Sequence, residues 1–526
     1  MATHRKQTNT NLAFIILLIG VFMAALDNGI ISAALTTINT SFEVTPVLGS
    51  WGITIYTLGL AVTTPIVGKL ADRYGRKKLF LIEIAIFTIG SLGVALSPNF
   101  TLFLISRLVQ SFGGGGIFII ASAHVLSTFD KQRQGRMLGM LGGMNGIASV
   151  IGPNVGSFLI DVTGSWHWLF LINVPIGIGL LIFGWKSLTE TKQAVLSRID
   201  FLGITLLSLS ILTVMFAINI GASRTTGTPL EWLVFALLIG GIVVFTAFLF
   251  VEKRQERRAI DAILPYSLLR KPTFAMTMVL ALLSGTFIGA VIFIPSFAQQ
   301  ILSISAEKSG YWMTPLALAS GIGAGGGGYF VDKMGPVKTI VLAGLISIVG
   351  FGGLALLTAT KLTFIVFSVI AGIGFGFVLG APLTVLTSNA AGEQKGSAIG
   401  TLSVSRQIGL TLSPAIFGAF IQNGFSKLNT LIPEKLEAHA VAQTDLPAET
   451  LQQIMSSSSY GNMQQTIDQI PSTDVKAALQ EAFSTAAHSA YEPIYLFAAA
   501  MASAMIIIVL IFRKQFNQDV ETSRDE

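Results

Sequence analysis

Long apolar runs alternate with short polar segments along almost the whole chain. A helix needs about 20 apolar residues to cross about 30 Å of hydrocarbon, and most of these runs reach that length. Because a membrane-embedded backbone must satisfy its own hydrogen bonds, each run predicts a helix. The pattern predicts fourteen spans, near residues 12–38, 47–67, 79–97, 100–127, 134–160, 167–186, 200–220, 230–251, 272–302, 309–330, 338–358, 362–388, 396–423 and 492–512.

The composition agrees with an all-α membrane protein. Of 526 residues, 52% are hydrophobic and 11% are charged, whereas a soluble domain carries about 25% charged residues. The first apolar run is too long for the core of a signal peptide, so we interpret it as a retained span. The chain has no cysteine, which excludes disulfides, thiolate metal sites and cysteine nucleophiles.

The distribution of lysine and arginine predicts the orientation. With a cytoplasmic N-terminus, the inner segments hold 25 of the 33 lysines and arginines and the outer loops hold six. This excess predicts that both termini are cytoplasmic. The net charge of +6 is thereby explained by topology, and it gives no reason to expect nucleic acid as a partner.

The two halves of the chain repeat each other. "GKLADRYGRKK" (68–78) has the outline of "GYFVDKMGPVK" (328–338). The pairs at an offset of 260 are Gly68 with Gly328, Asp72 with Asp332, Arg73 with Lys333 and Gly75 with Gly335. The pairs at an offset of 261 are Gly113 with Gly374, Gly135 with Gly396, Gly139 with Gly400 and Pro153 with Pro414. The repeat predicts parallel six-helix halves at 1–186 and 272–526, a two-span linker at 187–271, and an outer insertion at 424–491, part of which reads as an amphipathic helix.

The repeated segment predicts a cytoplasmic gate between the halves. Glycines let helices approach closely, an acid such as Asp72 is stabilised near a helix N-terminus, and Arg76 can pair with an acid. Contacts of this kind must break when the two halves rock apart. The predicted gate comprises Gly68, Asp72, Arg73, Gly75, Arg76, Gly328, Asp332, Lys333 and Gly335. A positive-inside turn with no gating role is the open alternative.

Charged residues within the spans are candidates for proton coupling. Asp27 lies near the middle of the first span, where an ionised carboxylate costs about 2.5–3.5 kcal/mol. Membrane acids of this kind commonly carry protons in transporters, so Asp27 is predicted to be the coupling acid and Arg107 of the fourth span its partner. A structural aspartate and an arginine that reaches the membrane surface are the alternatives.

Other polar residues in the spans predict a substrate cavity. The candidates are Asn28, Ser32, Gln110, Asn145, Asn154, Arg406 and Gln407. The second half has no acid within its spans before Glu492. We therefore expect neutral, zwitterionic or monocationic amphiphiles to be preferred over dications. Gly152, Pro153 and Gly156 predict a bend and a close helix crossing in the fifth span.

Several of these segments resemble the major facilitator superfamily, and in particular its fourteen-span drug:proton antiporters. "GKLADRYGRKK" resembles the loop signature between spans two and three of the superfamily. The segments that resemble the first-, fourth-, fifth- and sixth-span motifs of the antiporters are "LDNGIISAALTTI" (26–38), "RLVQSFGGGG" (107–116), "GMNGIASVIGPNVGSFL" (143–159) and "SWHWLFLINVPIG" (165–177). The chain departs from these motifs at Thr36, where proline is usual, and at His167, where arginine is usual.

The resemblance implies proton-coupled efflux of amphipathic small molecules such as drugs or dyes, with an antiporter hinge in the fifth span. We expect a multi-pass monomer in a bacterial cytoplasmic membrane, driven by the proton gradient without a cofactor or a metal. Its expected partners are the substrate, protons and membrane lipids. One alternative is an exporter of a lipid or cell-envelope precursor. Another is a membrane enzyme, although such an enzyme would need clustered His, Asp or Glu, and the five histidines are scattered.

Overall fold

A computed structural model describes residues 2–44, 46–49, 51–191, 200–222, 231–258, 266–304, 310–392, 394–439, 470 and 472–525. Helices make up nearly all of this described part, and it contains no strand. The all-helical class predicted from the apolar runs is confirmed.

The first half begins with a helix much longer than its predicted span. Its long helices are α1 (Ala2–Ser41), α2 (Trp51–Tyr74), α3 (Arg76–Ala95), α4 (Phe100–Gly114), α5 (Ile117–Thr128), α6 (Lys131–Thr163) and α7 (Asn173–Ser187). Asn99 caps α4 by accepting a hydrogen bond from the Leu102 N–H at 2.9 Å. The predicted fourth span is broken between α4 and α5, where a run of glycines favours an interrupted helix.

Two linker helices, α8 (Phe201–Ala222) and α9 (Glu231–Arg257), follow the first half. α8 packs against α9 and also contacts α2. Leu207, Met215 and Phe248 form an apolar cluster with Ala61 of α2. The same cluster includes Phe274 and Ala398 of the second half, so the linker packs against both halves.

The second half repeats the order of the first and adds an extension at the end that the sequence predicts to be outer. Its helices are α10 (Pro272–Gly289), α11 (Ile294–Leu302), α12 (Thr314–Met334), α13 (Pro336–Leu356), α14 (Lys361–Leu379), α15 (Pro382–Ala391), α16 (Lys395–Ser426), α17 (Leu428–Ala438), α18 (Thr473–Ile511) and α19 (Arg513–Asp525).

Twelve of the described helical segments are long and apolar enough to cross a membrane, and one bent pair would make a thirteenth. The chain is therefore a multi-pass membrane protein. The predicted span near 309–330 forms α12, which is not among these segments. The glycine run 325–328 lowers the hydropathy of α12.

The bent pair lies in α6, where Lys131–Ala148 and Ile151–Thr163 meet at 45°. Pro153 lies inside the helix and removes a backbone hydrogen bond, which accounts for the bend. A Cβ atom on Gly152 would lie 2.6 Å from the Gly29 Cα atom of α1. The predicted bend and close crossing are both present. The antiporter role implied for this hinge stays a prediction.

The outer insertion and the last predicted span share one helix. α18 has 39 residues, so at 1.5 Å per residue it is about 58 Å long and exceeds the thickness of the hydrocarbon core. Ile432 and Leu436 of α17 pack in one apolar cluster with Leu479 and Phe483 of α18. The predicted amphipathic helix is thus an extension of the last span, braced by α17. Residues 440–469 of the insertion lie outside the described residues.

Candidate functional site

A buried ion pair lies inside the first half. The Asp27 side chain of α1 is 0% exposed and the Arg107 side chain of α4 is 1% exposed. Arg107 Nη1 lies 2.8 Å from Asp27 Oδ2. The contact that the sequence suggested is therefore present, while its role in proton coupling stays a prediction.

Three further side chains complete a hydrogen-bonded network around the carboxylate. Gln110 Nε2 and Asn173 Nδ2 each donate to Asp27 Oδ1 at 2.9 Å. Gln110 Oε1 accepts from Arg107 Nη1 at 2.6 Å, and Gln110 Nε2 also donates to Ser91 Oγ at 2.7 Å. The network joins α1, α3, α4 and α7. We call these five residues, Asp27, Ser91, Arg107, Gln110 and Asn173, the polar cluster.

Backbone and aromatic contacts hold the guanidinium from its other sides. Arg107 Nε donates to the Gly52 carbonyl at 3.2 Å. The guanidinium carbon lies 4.1 Å from the centre of the Tyr56 ring and 5.5 Å from that of Phe170. These contacts would retain Arg107 in place if the charge of Asp27 were neutralised, because cation–π attraction persists without a counterion.

The sequence identified Asp27, Arg107 and Gln110 but missed Ser91, Asn173 and Tyr56. Asn173 lies within the sixth-span motif, which was a signal for it. Nothing in the sequence distinguished Ser91 from the other serines of the spans. Gln110, predicted to line a substrate cavity, is instead fully buried in the polar cluster.

The other predicted cavity residues occupy varied surroundings. Asn28 is exposed, and Asn145, Asn154, Arg406 and Gln407 are partly buried. The side chain of Ser32 falls outside the described residues. Arg406 Nε donates to Ser284 Oγ of α10 at 3.3 Å.

The second half has an aromatic core where the first has the polar cluster. Gly29 packs on Gly152 in the first half, and Gly289 packs on Ser413 in the second half. These two glycines therefore correspond at an offset of 260. At that offset, Phe287 corresponds to Asp27. At the same offset Phe351 holds the place of Ser91. Phe287 and Phe351 are 0% exposed and meet edge to face with ring centres 5.0 Å apart. The repeat is therefore symmetric in its helices and asymmetric in its buried charge.

The first copy of the repeated segment joins the two halves at the helix ends that the lysine and arginine distribution predicts to be cytoplasmic, which we call the inner ends. Asp72 Oδ2 accepts from the Gly396 N–H at 2.9 Å, at the beginning of α16. Asp72 Oδ1 accepts from Arg76 Nη2 at 2.9 Å. A Cβ atom on Gly68 would collide with the Gly396 carbonyl oxygen. The acid thus lies near a helix N-terminus, where the helix dipole stabilises it.

The second copy makes the reciprocal contacts. Asp332 Oδ1 accepts from the Gly135 N–H at 2.7 Å, and Oδ2 accepts from the Arg136 N–H at 2.8 Å. A Cβ atom on Gly328 would collide with the Gly135 carbonyl oxygen. Lys333 is exposed and its Nζ lies 5.9 Å from the centre of the Tyr329 ring. The inner ends of the halves therefore touch along two glycine-lined seams, α2 with α16 and α6 with α12.

The turns that follow the two acids differ. Gly75 has φ 108° and Gly335 has φ 85°, values that favour glycine. After Gly75, the Glu190 carboxylate accepts from the Lys77 and Lys78 N–H groups, each at 3.1 Å, and so caps α3. A Cβ atom on Gly335 would meet no atom within 4 Å. Glu190 is a functional candidate that the sequence alone did not reveal. The predicted gate residue Arg73 is only partly buried, and its guanidinium carbon lies 5.7 Å from the centre of the Tyr74 ring.

His167 does not reproduce the charge of the arginine usual at its position. Its ring stacks on Trp166 with centres 3.9 Å apart. Partial burial lowers the pKa of His167 below its ordinary value, because it favours the neutral form of the ring.

Glu83 of α3 has a structural contact that does not involve the polar cluster. It is 3% exposed, and its Oε2 accepts from the Gly116 N–H at 2.9 Å, at the break between α4 and α5. We expect Glu83→Gln to keep near-normal transport and thermal stability, because the amide oxygen can still accept this bond. Glu83→Ala should cost about 1–3 kcal/mol by leaving the N–H unsatisfied. Unfolding temperatures of the two purified variants check this, and an equal loss in both would contradict it.

The fold consists of two parallel bundles of helices that touch at their inner ends, and the first bundle holds a buried ion pair. Residues 17–414 match the family model described as Major Facilitator Superfamily. The chain belongs to the major facilitator superfamily, which places it among transporters rather than enzymes. Among the described residues, no group of three or more His, Asp or Glu could hold a metal ion.

Two relatives and one solved structure show how far the similarity extends. The chain is 52% identical over 515 residues to the uncharacterized MFS-type transporter YfiU of Bacillus subtilis, covering 97% of this chain and 98% of that one. It is 33% identical over 439 residues to multidrug resistance protein 3 of Bacillus subtilis, covering 81% and 83%. The crystal structure of the human organic anion transporter MFSD10 matches with a TM-score of 0.59 at 12% identity, covering 94% of this chain and 99% of that one, which supports the fold alone.

Proposed function

We propose that the protein is a proton-coupled exporter of amphipathic small molecules such as drugs or dyes, which exchanges protons for substrate by alternating access. The buried Asp27–Arg107 ion pair carries the proposal. The Asp27 carboxyl group lies inside the first half, and one guanidinium balances its charge. The polar cluster around it joins four helices. The name of the relative multidrug resistance protein 3 supports the substrate class.

In this proposal, proton binding at Asp27 loosens α1 from its neighbours. Protonation removes the attraction between opposite charges and leaves a hydrogen bond from the charged Arg107 guanidinium to a neutral carboxyl group, which is weaker than the ion pair. Asn173 Oδ1 has no hydrogen-bond partner among the described residues, so a rotation of its amide would let it accept from the protonated carboxyl. Arg107 stays bound to the Gly52 carbonyl and to Tyr56. Protonation of Asp27 therefore changes mainly the contacts that α1 makes with α4 and α7.

The inner seams supply the second part of the proposed cycle. Asp72 and Asp332 each hold a backbone N–H of the opposite half, and release of both would open the cytoplasmic side. Proton binding at Asp27 and opening of the seams would then alternate with substrate release on the other side. We propose that both termini are cytoplasmic and that the protein lies in a bacterial cell membrane, as a fourteen-span drug:proton antiporter that acts as a monomer and without a cofactor.

Export of a lipid or cell-envelope precursor is the second candidate function. It is favoured by the aromatic core that replaces the polar cluster in the second half, since an export site for organic cations would be expected to offer a second acid. Uphill transport in proteoliposomes with an imposed pH gradient tests both candidates, with fluorescent dyes in one series and labelled lipids in the other. Transport of neither series above protein-free liposomes would reject the proposal.

The charges inside the spans predict a preference among substrates. With Asp27 neutralised by Arg107 or by a proton, Arg406 leaves the interior neutral to positive, and repulsion is poorly screened in a low-dielectric wall. We expect neutral, zwitterionic and monocationic amphiphiles to compete with a transported dye more strongly than dications of equal apolar area. Competition curves for matched mono- and dicationic compounds measure this. Stronger competition by the dications would show that an additional acid faces the substrate.

A further inference from the structure

Arg406 of α16 is a cation with unused hydrogen-bonding capacity. Its Nε makes one long hydrogen bond, 3.3 Å, to Ser284 Oγ. Its Nη2 atom is buried and has no hydrogen-bond partner in the part of the chain that the structure describes. Arg107, in contrast, has a carboxylate, a backbone carbonyl and an aromatic ring around it.

The surroundings place Arg406 within the protein rather than against lipid. No residue from Gln394 to Ser413 is exposed, and α16 packs against α2, α10 and α18, so Arg406 lies among helices. Its backbone is fixed against α10, because a Cβ atom on Gly285 would collide with the Arg406 carbonyl oxygen. At the repeat offset of 261, Arg406 corresponds to Asn145 of α6, and α6 and α16 are the helices of the two seams between the halves.

An unpaired cation within a span is costly, and such residues mark substrate pathways. A guanidinium with a free Nη group matches the planar oxygens of a carboxylate and the oxygens of a phosphate. We propose that Arg406 recognises an anionic group, a carboxylate or a phosphate monoester, on an amphipathic substrate. This names the substrate class of the proposed exporter and rests on that proposal for its transport role.

Four compounds with one naphthalene body, ending in a carboxylate, a phosphate, a primary amide or an ammonium group, separate the possibilities. Equilibrium binding of each to the purified full-length protein is measured without a proton gradient. We expect the better of the two acids to bind at least about tenfold more tightly than the amide, as a charge-assisted hydrogen bond predicts. The two acids distinguish a carboxylate site from a phosphate site.

Three variants test the residue itself. Arg406→Gln should remove the preference for acids and leave amide binding unchanged, and Arg406→Lys should keep part of the preference. Arg513→Gln, which removes an exposed arginine, should leave the preference intact. If Arg406→Gln does not fold, the test is whether Arg406→Lys binds acids with a smaller preference over the amide than the wild type does. Equal binding of acids and amide by the wild type, or an undiminished preference in a folded Arg406→Gln or Arg406→Lys variant, would overturn the assignment.

Transport separates this inference from the function on which it rests. Proteoliposomes with a pH gradient are tested with the acid that binds best. Selective binding without uphill transport would reject proton-coupled export and leave the anion site standing. Uphill transport of dyes with no selectivity for acids would reject the anion site and leave the function standing.

Discussion

Asp27→Asn is expected to abolish uphill export driven by a pH gradient, while the protein remains folded and inserted. The asparagine keeps an oxygen that can accept from Gln110 and Asn173 but can neither bind a proton nor balance the Arg107 charge. Breaking a buried pair by removing one partner costs about 3–5 kcal/mol, so a lower unfolding temperature should accompany the loss. Transport in proteoliposomes, compared with protein-free liposomes, measures the effect.

Two variants distinguish loss of coupling from loss of packing. The double variant Asp27→Asn with Arg107→Gln removes both charges, so it should recover part of the lost stability and still fail to couple. Ser91→Ala removes the two neutral hydrogen bonds that Ser91 Oγ accepts from Gln110 and Asn173 and leaves the ion pair, so it should still transport uphill. Persistent uphill transport by the purified Asp27→Asn variant would show that Asp27 is not the essential coupling carboxylate.

Gly328→Ala and Gly68→Ala are expected to force the inner ends of the two halves apart. In each variant the new methyl group would collide with a backbone carbonyl oxygen of the opposite half, which cannot rotate away as a side chain could. Each 1.4 kcal/mol of this strain lowers the population with touching inner ends by about tenfold. Asp72→Asn should have a smaller effect in the same direction, because it weakens charge-assisted bonds without inserting atoms.

The chain offers a matched control on the same helix. Gly325 lies three residues from Gly328 in α12, and a Cβ atom there would meet no atom within 4 Å. Gly325→Ala should therefore leave the inner ends in contact. Because the protein has no cysteine, spin labels can be attached through cysteines introduced at two exposed inner-end positions, Arg133 and Lys333.

The distance distributions between these labels decide the gating question. We expect longer distances for Gly328→Ala than for the wild type and Gly325→Ala, with substrate affinity changed much less than the rate of exchange between states. Identical distributions and exchange rates in all the seam variants would remove the gating role and leave the repeated segment as a positive-inside turn.

The helical class, the bend in α6 and the repeated glycine–acid segments follow from the sequence, because they depend on local hydropathy, on Pro153 and on residue spacing. The depth of Asp27 in a span followed in the same way from counting residues. The role of Glu83 did not, because hydropathy places the residue in α3 but cannot show that it accepts the Gly116 N–H.

Only the tertiary structure decided which polar residues meet. Asn173 reaches Asp27 across 146 positions, and Glu190 reaches the Lys77 N–H across 113. A hydrogen bond needs its two atoms within about 3 Å, so it depends on how each helix is rotated and how deep it lies against its neighbours. The same packing buried Gln110 in the polar cluster rather than in a cavity, and placed Phe287 and Phe351 where the first half holds Asp27 and Ser91. Hydropathy and spacing act along the chain, whereas these contacts arise between helices whose mutual rotation no local pattern specifies.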